Sequence, residues 1–309
     1  MPPARQIGEI TVEIRWLEAF IAVAEELHFG RAAQRLRIAQ SPLSQTIRRL
    51  EASVGADLFE RNTRSVALTP AGSALLPMAY RVIQDLALAT AAARAASGAV
   101  HGTVRIGFSG AFNHLTLPVL ARTVRRELPD IDLQLVSRVR TGDGLVKLRN
   151  GTLDIAFVGL PITAEGVASR LIARTELGAA LPVDHPLADD ASISAAQLAD
   201  DDFLSMPMDG SSSMAEALMR CCIAAGFRPR VTQEITDPYI MLTLVAAGLG
   251  VSVIAEDLAP IMPRGARWVR FHDEPQYMLH GIAWMTDEQS AAVSAVLGLS
   301  EKILPTPAD

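Results

Sequence analysis

The sequence predicts a multidomain protein in which an N-terminal winged helix-turn-helix, mainly α-helical, is joined by a linker helix to a C-terminal α/β domain of two lobes. Residues 15–70 hold three short amphipathic helices and a hairpin pattern, residues 71–98 carry a heptad repeat, and residues 99–309 alternate strands with helices. At 309 residues, 50% of them hydrophobic, the chain is long enough for several separate cores. Residues 1–14 precede the first helix and are expected to form an N-terminal extension.

Two of the N-terminal helices are predicted from the spacing of their apolar residues. IRWLEAFIAVAEEL (14–27) has one apolar side, and the shorter RAAQRLRI (31–38) turns two alanines and a leucine inward. A turn at 38–40 then leads to a third helix opened by Ser41-Pro42, where proline costs no hydrogen bond because the first turn has no acceptor for its N–H. This order is that of a helix-turn-helix.

The third helix separates an apolar stripe from a polar face. Its apolar residues, at i, i+4, i+7 and i+11, are Leu43, Ile47, Leu50 and Val54. The opposite face carries hydroxyls, an amide, a guanidinium and no acid, on Ser41, Ser44, Gln45 and Arg48. Taken alone, such a face is most often an ordinary solvated surface. The hairpin pattern RNTRSVALT (61–69) that follows, a wing with arginines near its tip, favours a functional interpretation.

Positive charge is concentrated in this part of the chain. Residues 28–66 hold seven arginines against three acidic residues, a net +4, whereas the whole chain has a net charge of −6. A basic region that coincides with a helix-turn-helix is expected to bind a polyanion, here double-stranded DNA. The candidate DNA-binding residues are Arg31, Gln40, Ser41, Pro42, Ser44, Gln45, Arg48, Arg49, Arg61 and Arg64. We expect the third helix in the major groove and Arg64 near the minor groove.

The stretch from Leu17 to Gly72 resembles the DNA-binding domain of the LysR-type transcriptional regulators. The resemblance is carried by the alanine pair before the turn, Ser-Pro-Leu-Ser at the start of the third helix, Leu-Glu before its end, Gly-x-x-Leu-Phe-x-Arg after it and Leu-Thr-x-x-Gly closing the wing. It implies a DNA-binding regulator of transcription that forms a homodimer and further a homotetramer, with RNA polymerase as an additional candidate partner. A dimer reads two half-sites, so the operator is expected to be partly palindromic.

Residues 71–98 are predicted to be a linker helix that mediates dimerisation. Their apolar residues recur at alternating steps of four and three, which is a heptad seam. The candidate interface residues are Leu75, Ala79, Val82, Leu86, Ala89 and Ala93. The alternative is a single helix lying on its own domain. The resemblance favours the dimer, because the linker helix of LysR-type proteins pairs two DNA-binding domains.

The C-terminal domain begins with the order of a βαβαβ unit, which predicts a parallel sheet. The predicted strands are 103–109, 132–138 and 153–159, and the helices are 115–128 and 141–151. A second α/β unit follows, and we expect the chain to cross between lobes near 160–168 and to return near 260–268. Lobe I is then 99–162 with 266–309, and lobe II is 163–265. The arrangement resembles the periplasmic-binding-protein architecture of LysR-type effector domains.

The cleft between the lobes is the predicted ligand site, since ligands of such sheets bind beyond the carboxyl ends of the strands. Loops that open helices there offer backbone N–H groups and hydroxyls, which suit a small organic acid. The candidate effector-binding residues are Gly110, Ala111, Phe112, Thr141, Met208, Ser212, Met214, Asp237 and Pro238. The alternative is that these residues merely cap their own helices.

The two lobes resemble in particular the LysR-type branch that responds to aromatic acids and their ring-cleavage products. By position, the resemblance implies that Ala111, Thr141, Met214 and Pro238 face the ligand. Two departures are present: Ala111 lacks a hydroxyl that is common there, and Gly159 stands where a basic residue can occur.

The sequence does not support an enzyme. Gly107-Phe108-Ser109-Gly110 resembles a nucleophile elbow but has alanine at the fifth position, and the chain shows no phosphate loop and no metal-ligand spacing. We therefore expect no catalytic residue, metal or cofactor. Cys221 and Cys222, adjacent in a helical pattern, are expected to be buried core thiols, with a redox role as the alternative.

Hydropathy suggests where the protein works. No apolar run approaches the length of a membrane-spanning helix, and the N-terminus lacks the apolar segment of a signal peptide. We expect a cytoplasmic protein with no membrane partner. A solute-binding protein is the other alternative, and the missing signal pattern together with residues 15–98 argues against it.

Overall fold

The computed structural model describes residues 12–62, 65–95, 101–287 and 289–307. The chain divides into two compact units, Met1–Ala93 and Arg94–Asp309. Most of the predicted N-terminal extension lies outside the described residues. Within the described ranges, no helix combines the length and the apolar character needed to cross a membrane.

The N-terminal unit is a winged helix-turn-helix followed by a long helix. Its elements are α1 (Ile14–Glu26), α2 (Phe29–Leu36), α3 (Gln40–Val54), β1 (Phe59–Asn62), β2 (Ser65–Leu68) and α4 (Pro70–Ala95). Helix α2 starts two residues before the predicted position, because the His28 ring accepts hydrogen bonds from the backbone N–H groups of Gly30 and Arg31. β1 and β2 pair antiparallel and form the predicted wing.

Two residues of the sequence motif, Glu51 and Gly72, connect α3, the wing and α4. The buried carboxylate of Glu51 in α3 accepts hydrogen bonds from the backbone N–H groups of Leu58, at 3.0 Å, and Phe59, at 3.4 Å. A Cβ at Gly72 would lie 2.2 Å from the carbonyl oxygen of Leu58, so only glycine permits this approach of α4. These contacts hold the end of α3 and the start of α4 against the base of the wing.

Part of the heptad seam of α4 packs against the core of its own unit. Ala79 is only 1% exposed in the core that α1, α2 and α3 form, and Leu75 packs against the same core. Ala79 is therefore buried within its own unit, and its contact with a partner helix stays a prediction. One heptad further, Leu86 is 47% exposed, and the nearby Val82 is 43% exposed. Ala89 is also exposed, and the side chain of Ala93 lies outside the described part of the chain.

The C-terminal unit contains a mixed sheet, where the βαβαβ pattern had suggested a parallel one. Strands β3 (Gly102–Gly107), β4 (Ile131–Val136) and β5 (Ile155–Leu160) are parallel as predicted. Strand β12 (Tyr277–Met285) then pairs antiparallel with β5 and with β6 (Val167–Pro182). The helices of this half are α5 (Thr116–Glu127), α6 (Thr141–Arg149) and α9 (Ala291–Ile303). The strand order departs from the prediction because β12 returns between two strands that are much earlier in sequence.

The other half of the C-terminal unit has its own core. Its remaining elements are β7 (Ser192–Ile193), β8 (Asp202–Ser205), α7 (Ser213–Ala224), β9 (Arg230–Glu234), α8 (Pro238–Ala246), β10 (Ser252–Ala255) and β11 (Ala266–Phe271). Short 3-10 helices span Gly110–Asn113, Ala195–Leu198 and Glu256–Ile261. The core contains residues of β6, β10 and β11 together with α7 and α8.

The lobe boundaries differ from the predicted ones. The 16-residue strand β6 belongs to both lobes, because residues 167–176 pair with β12 and residues 177–182 pair with β10 and β11. Residues 167–176, predicted in lobe II, therefore belong to lobe I. Strand β11, predicted in lobe I, packs through Val269 and Phe271 in the core of lobe II. One continuous strand carries the chain across, so no loop marked the crossing in the sequence.

Candidate functional site

Helix α3 presents the predicted polar face to solvent. Leu43, Ile47 and Leu50 are fully buried, which fixes the rotation of the helix. The residues on the other side that are exposed are Gln40, Ser41, Pro42, Gln45, Arg48 and Arg49, and Ser44 is half-buried. No side chain caps the start of the helix at Ala39. The first turn therefore offers backbone N–H groups and short polar side chains on one surface.

The arginines around α3 differ in their pairing. On α2, Arg31 pairs with Glu26 at 3.2 Å, and Arg35 pairs with Glu25. Acidic residues of α1 therefore offset both charges. Arg48 and Arg49 are exposed, and neither makes an ion pair with another described residue. Arg64 and the side chain of Arg61 lie outside the described part of the chain, and their roles remain predictions.

A small cavity lies between the two lobes of the C-terminal unit. Its volume is about 30 Å³. The lining residues are Ser109, Phe112, Asn113, Arg140, Thr141, Phe157, Val158, Gly159, Ser212, Ser213, Met214, Met278 and His280. They come from both lobes, including the loops after β3 and β4 and the start of α7. The cavity lies in the cleft beyond the carboxyl ends of the parallel strands, where the ligand site was predicted.

Some of the predicted effector residues line this cavity and others do not. Four do: Phe112, Thr141, Ser212 and Met214. Five are absent from its lining: Gly110, Ala111, Met208, Asp237 and Pro238. The carboxylate of Asp237 caps α8 by accepting hydrogen bonds from the backbone N–H groups of Tyr239 and Ile240. Capping of α8 is therefore sufficient to explain an aspartate at position 237, without a role in ligand binding.

Thr141 is held in place by contacts to both sides of the cleft. Its hydroxyl accepts a hydrogen bond from the backbone N–H of Gly159 at 2.9 Å, and it lies 3.4 Å from the hydroxyl of Ser213 in lobe II. A Cβ at Gly159 would lie 2.1 Å from that Ser213 oxygen. Glycine at 159 therefore makes room for Ser213, which explains why this chain cannot carry a longer side chain at that position.

Polar contacts connect the lobes around Arg140. Its guanidinium lies 3.3 Å from Asp143 in lobe I and 3.5 Å from Asp209 in lobe II. The backbone N–H of Gly142 also donates to the carbonyl of Ser211 across the cleft, at 3.3 Å. Hydrogen bonds from Ser211 lower the pKa of the Asp209 carboxyl. These contacts hold the two lobes together in the arrangement observed.

Buried ionisable groups that no local sequence pattern indicates lie beside the cavity. His280 on β12 is 5% exposed, and its Nε2 lies 3.6 Å from Oδ2 of Asp257. Burial lowers the pKa of His280, and the Asp257 charge partly offsets this effect. Burial raises the pKa of Asp257, while His280 and His114 lower it. Strand alternation alone would have placed Met278 and His280 on one face of β12, but not against this cleft.

The two cysteines are core residues of α7. Cys221 and Cys222 are both buried within the lobe II core. Burial raises the pKa of the Cys221 thiol to about 11 and that of Cys222 to about 12. Among the described residues, histidines, cysteines and acids form no group of three that could hold a metal ion.

Comparisons with known proteins match both units of the chain. Residues 14–73 match a family model described as bacterial regulatory helix-turn-helix protein, lysR family, and residues 97–302 match one described as LysR substrate binding domain. The HTH-type transcriptional regulator ShiR of Corynebacterium glutamicum (strain R) is 44% identical over 289 residues, covering 94% of this chain and 98% of that protein. The uncharacterized regulator YnfL of Escherichia coli (strain K12) is 34% identical over 286 residues, covering 92% and 96%.

Solved structures show the same fold. The crystal structure of CbnR, a LysR family transcriptional regulator, superposes with a TM-score of 0.73 at 24% identity, covering 95% of this chain and 99% of that chain. A full-length OxyR variant from Pseudomonas aeruginosa superposes with a TM-score of 0.69 at 25% identity, covering 96% of both chains.

Proposed function

This chain belongs to the LysR family of DNA-binding transcriptional regulators, and we propose that a small organic acid, bound in the cavity between its two C-terminal lobes, modulates transcription from its operator. The family is one of regulators and not of enzymes. The observation that carries the proposal is the cavity itself, which is lined from both lobes, so a ligand there touches both at once.

The size of the cavity supports a change in lobe arrangement on binding. At about 30 Å³ it has the volume of roughly one water molecule, whereas ligand pockets commonly hold roughly 300–1,000 Å³. An organic acid can enter only if the lobes separate or rotate, which breaks contacts such as that between Arg140 and Asp209. A ligand shifts such an equilibrium by its differential affinity for the two arrangements, typically about 1–3 kcal/mol. Opening of the cleft is therefore the means by which the acid acts.

The polar lining favours an acid over a neutral ligand. The hydroxyls of Thr141, Ser212 and Ser213 lie around the cavity together with the guanidinium of Arg140. Hydroxyl and guanidinium groups donate charge-assisted hydrogen bonds to carboxylate oxygens. Phe112, Phe157 and Met214 add apolar walls on which the body of the acid can pack.

The N-terminal unit supplies the DNA contacts. We place Ser41, Pro42, Ser44, Gln45 and Arg48 in the major groove, since they share the exposed side of α3. The amide of Gln45 suits an adenine edge, and the guanidinium of Arg48 suits a guanine or a phosphate. Arg64 in the wing is assigned to the neighbouring minor groove. Because its DNA target lies in the cytoplasm, we expect the protein to be cytoplasmic.

Assembly follows from the exposed half of α4. Val82, Leu86 and Ala89 form an apolar patch that a second copy of α4 can cover, giving a homodimer and a partly palindromic operator. Further pairing gives a homotetramer, and RNA polymerase is an additional partner at the promoter.

A mobility-shift assay on the DNA upstream of the protein's own gene tests this function. We expect the full-length protein to bind that DNA, and benzoate, muconate or a simple aliphatic acid to change the mobility or the footprint of the complex. Calorimetry with the same acids on the full-length protein measures binding directly. If no acid in a broad set binds, the effector is not a carboxylate.

A further inference from the structure

The cavity between the lobes has little free positive charge with which to receive an acid. Among its lining residues, only Arg140 and His280 carry basic side chains. Arg140 is already paired with the carboxylates of Asp143 and Asp209. When the lobes open and the contact with Asp209 breaks, Asp143 of lobe I still offsets part of the Arg140 charge. A buried anion that lacks a full counter-charge is strongly disfavoured.

His280 is the lining group that can change its charge. It lies on β12 directly opposite Gly159, whose backbone N–H donates to the hydroxyl of Thr141, and both His280 and Thr141 line the cavity. Its Nε2 is buried and has no hydrogen-bond partner among the described residues. An imidazole in this position can bind a carboxylate with an N–H donor and, when protonated, with a full charge as well.

Asp257 and His114 lie close to His280 and bear on whether its imidazole is protonated when an acid binds. Asp257, on the 3-10 helix Glu256–Ile261, lies 3.6 Å from the His280 Nε2, and its Oδ1 has no partner in the described part of the chain. His114, which follows the 3-10 helix Gly110–Asn113, donates from Nδ1 to the carbonyl of Ala111 at 2.8 Å, and its buried Nε2 is unpartnered among the described residues. Arg140 is the remaining charged group at the cavity.

With no acid beside it, burial lowers the pKa of the His280 imidazole, and the charge of Asp257 offsets this only in part. An acid in the cavity that His280 lines adds a negative charge near the ring. The carboxylate of the acid favours the imidazolium, because an opposite charge within about 4–6 Å stabilises the charged form. Any charge on Asp257, which raises the pKa of His280, acts in the same direction.

We propose that His280 binds the carboxylate of the effector as an imidazolium, and that the protein takes up one proton from solvent when the acid enters the cavity. Asp257 acts as a positioning residue: its carboxylate, together with that of the acid, balances the positive charge of the His280 imidazolium. This inference rests on the proposed function, because it requires an organic acid in that cavity. It makes effector affinity depend on pH.

Calorimetry on the full-length protein tests proton uptake without any substitution. The acid that binds most tightly among benzoate, muconate and the aliphatic acids is titrated at one pH in two buffers of different ionisation enthalpy. We expect close to one proton taken up per acid bound, and an affinity that falls up to about tenfold per pH unit as pH rises from about 6 to about 8. An acid that binds with no proton uptake overturns this inference and leaves the proposed function in place. If no acid binds, the proposed effector chemistry fails first, and this inference fails with it.

Substitutions assign the proton to one residue. His280→Gln keeps an amide donor but cannot become charged, so we expect weaker binding, no proton uptake and an affinity independent of pH. His280→Asn is a second, smaller variant if the first does not fold. The matched control is His185→Gln, since His185 is a partly buried histidine 3.3 Å from Asp201 elsewhere in lobe II. Proton uptake that persists in a folded His280 variant contradicts the assignment, whereas uptake lost in the control as well would show a general effect of histidine removal and also contradict it.

Discussion

The hydroxyl of Thr141 accepts a hydrogen bond from the backbone N–H of Gly159 at 2.9 Å, which ties the start of α6 to the end of β5 at the cavity. Thr141 therefore has a structural role in addition to any contact with a ligand. Both roles depend on the same oxygen, and substitutions that keep or remove it separate them.

We expect Thr141→Val to weaken effector binding and also to lower the free energy of unfolding. The valine removes the acceptor of the Gly159 N–H, and an unsatisfied buried donor costs about 1–3 kcal/mol. Thr141→Ser, the matched control, keeps the hydroxyl and should retain stability. Denaturant unfolding and calorimetry with the acid measure both effects, while DNA affinity without effector should stay near that of the parent, because the DNA-binding residues belong to a separate compact unit. A valine variant that binds its acid as tightly as the parent would remove Thr141 from the effector site.

Gln45→Ala should weaken operator binding by about 1–3 kcal/mol and change the preferred base at one position, since its amide suits an adenine edge. Arg64→Ala should weaken binding by a similar amount without changing the preferred base. Fluorescence anisotropy on the operator and on single-base variants measures both. A random duplex is the control, and its affinity should not respond to Gln45→Ala. Unchanged operator affinity in both variants would refute these assignments.

Leu86→Arg should dissociate the dimer while leaving the folded monomer intact. Leu86 is 47% exposed within its own chain, so the arginine meets water in the monomer but would be an unpaired buried charge in a two-helix seam. Light scattering reports the mass. Ala74→Arg adds the same charge at an exposed position of α4 outside the seam and is the control. Leu86→Arg that remains dimeric would place the dimer contact elsewhere.

Cys221 and Cys222 should be inert to peroxide and to thiol reagents in the native protein. Burial raises the thiol pKa of Cys221 to about 11, and burial together with the charge of Cys221 raises that of Cys222 to about 12. Little thiolate, the reactive form, is then present at about pH 7–8. Ellman's reagent should label them only on unfolding, and the Cys221→Ser, Cys222→Ser double variant should regulate as the parent does. Rapid labelling of the folded protein would support the redox alternative.

Much of the N-terminal unit could be predicted from local sequence. The stripe of Leu43, Ile47 and Leu50 repeats with the period of a helix, and its burial decides which way Gln45 and Arg48 face. The heptad seam of α4 was visible in the same way. The surface against which this seam packs could not be predicted. Ala79 and Leu86 share one face of α4, but only Ala79 lies in the core of its own unit.

The lining of the cavity between the lobes was predicted only in part. Thr141 and Ser212 open helices at the cleft, and such residues can be recognised from the order of strand, loop and helix. Asn113, Met278 and His280 line the same cavity without any local signal. Pro238 follows the same helix-opening pattern as Thr141, yet it is not part of the cavity lining.

The sequence by itself determined the elements whose side chains repeat with a fixed backbone period, namely the helix-turn-helix, the linker helix and the first three strands of the C-terminal unit. The tertiary structure alone decided that β6 runs through both lobes and that β12 returns between β5 and β6, bringing His280 beside Asp257 and opposite Gly159. The physical reason is that helix and strand periods depend on neighbouring residues. The pairing of strands more than a hundred residues apart depends instead on which apolar faces pack together once the whole chain has folded.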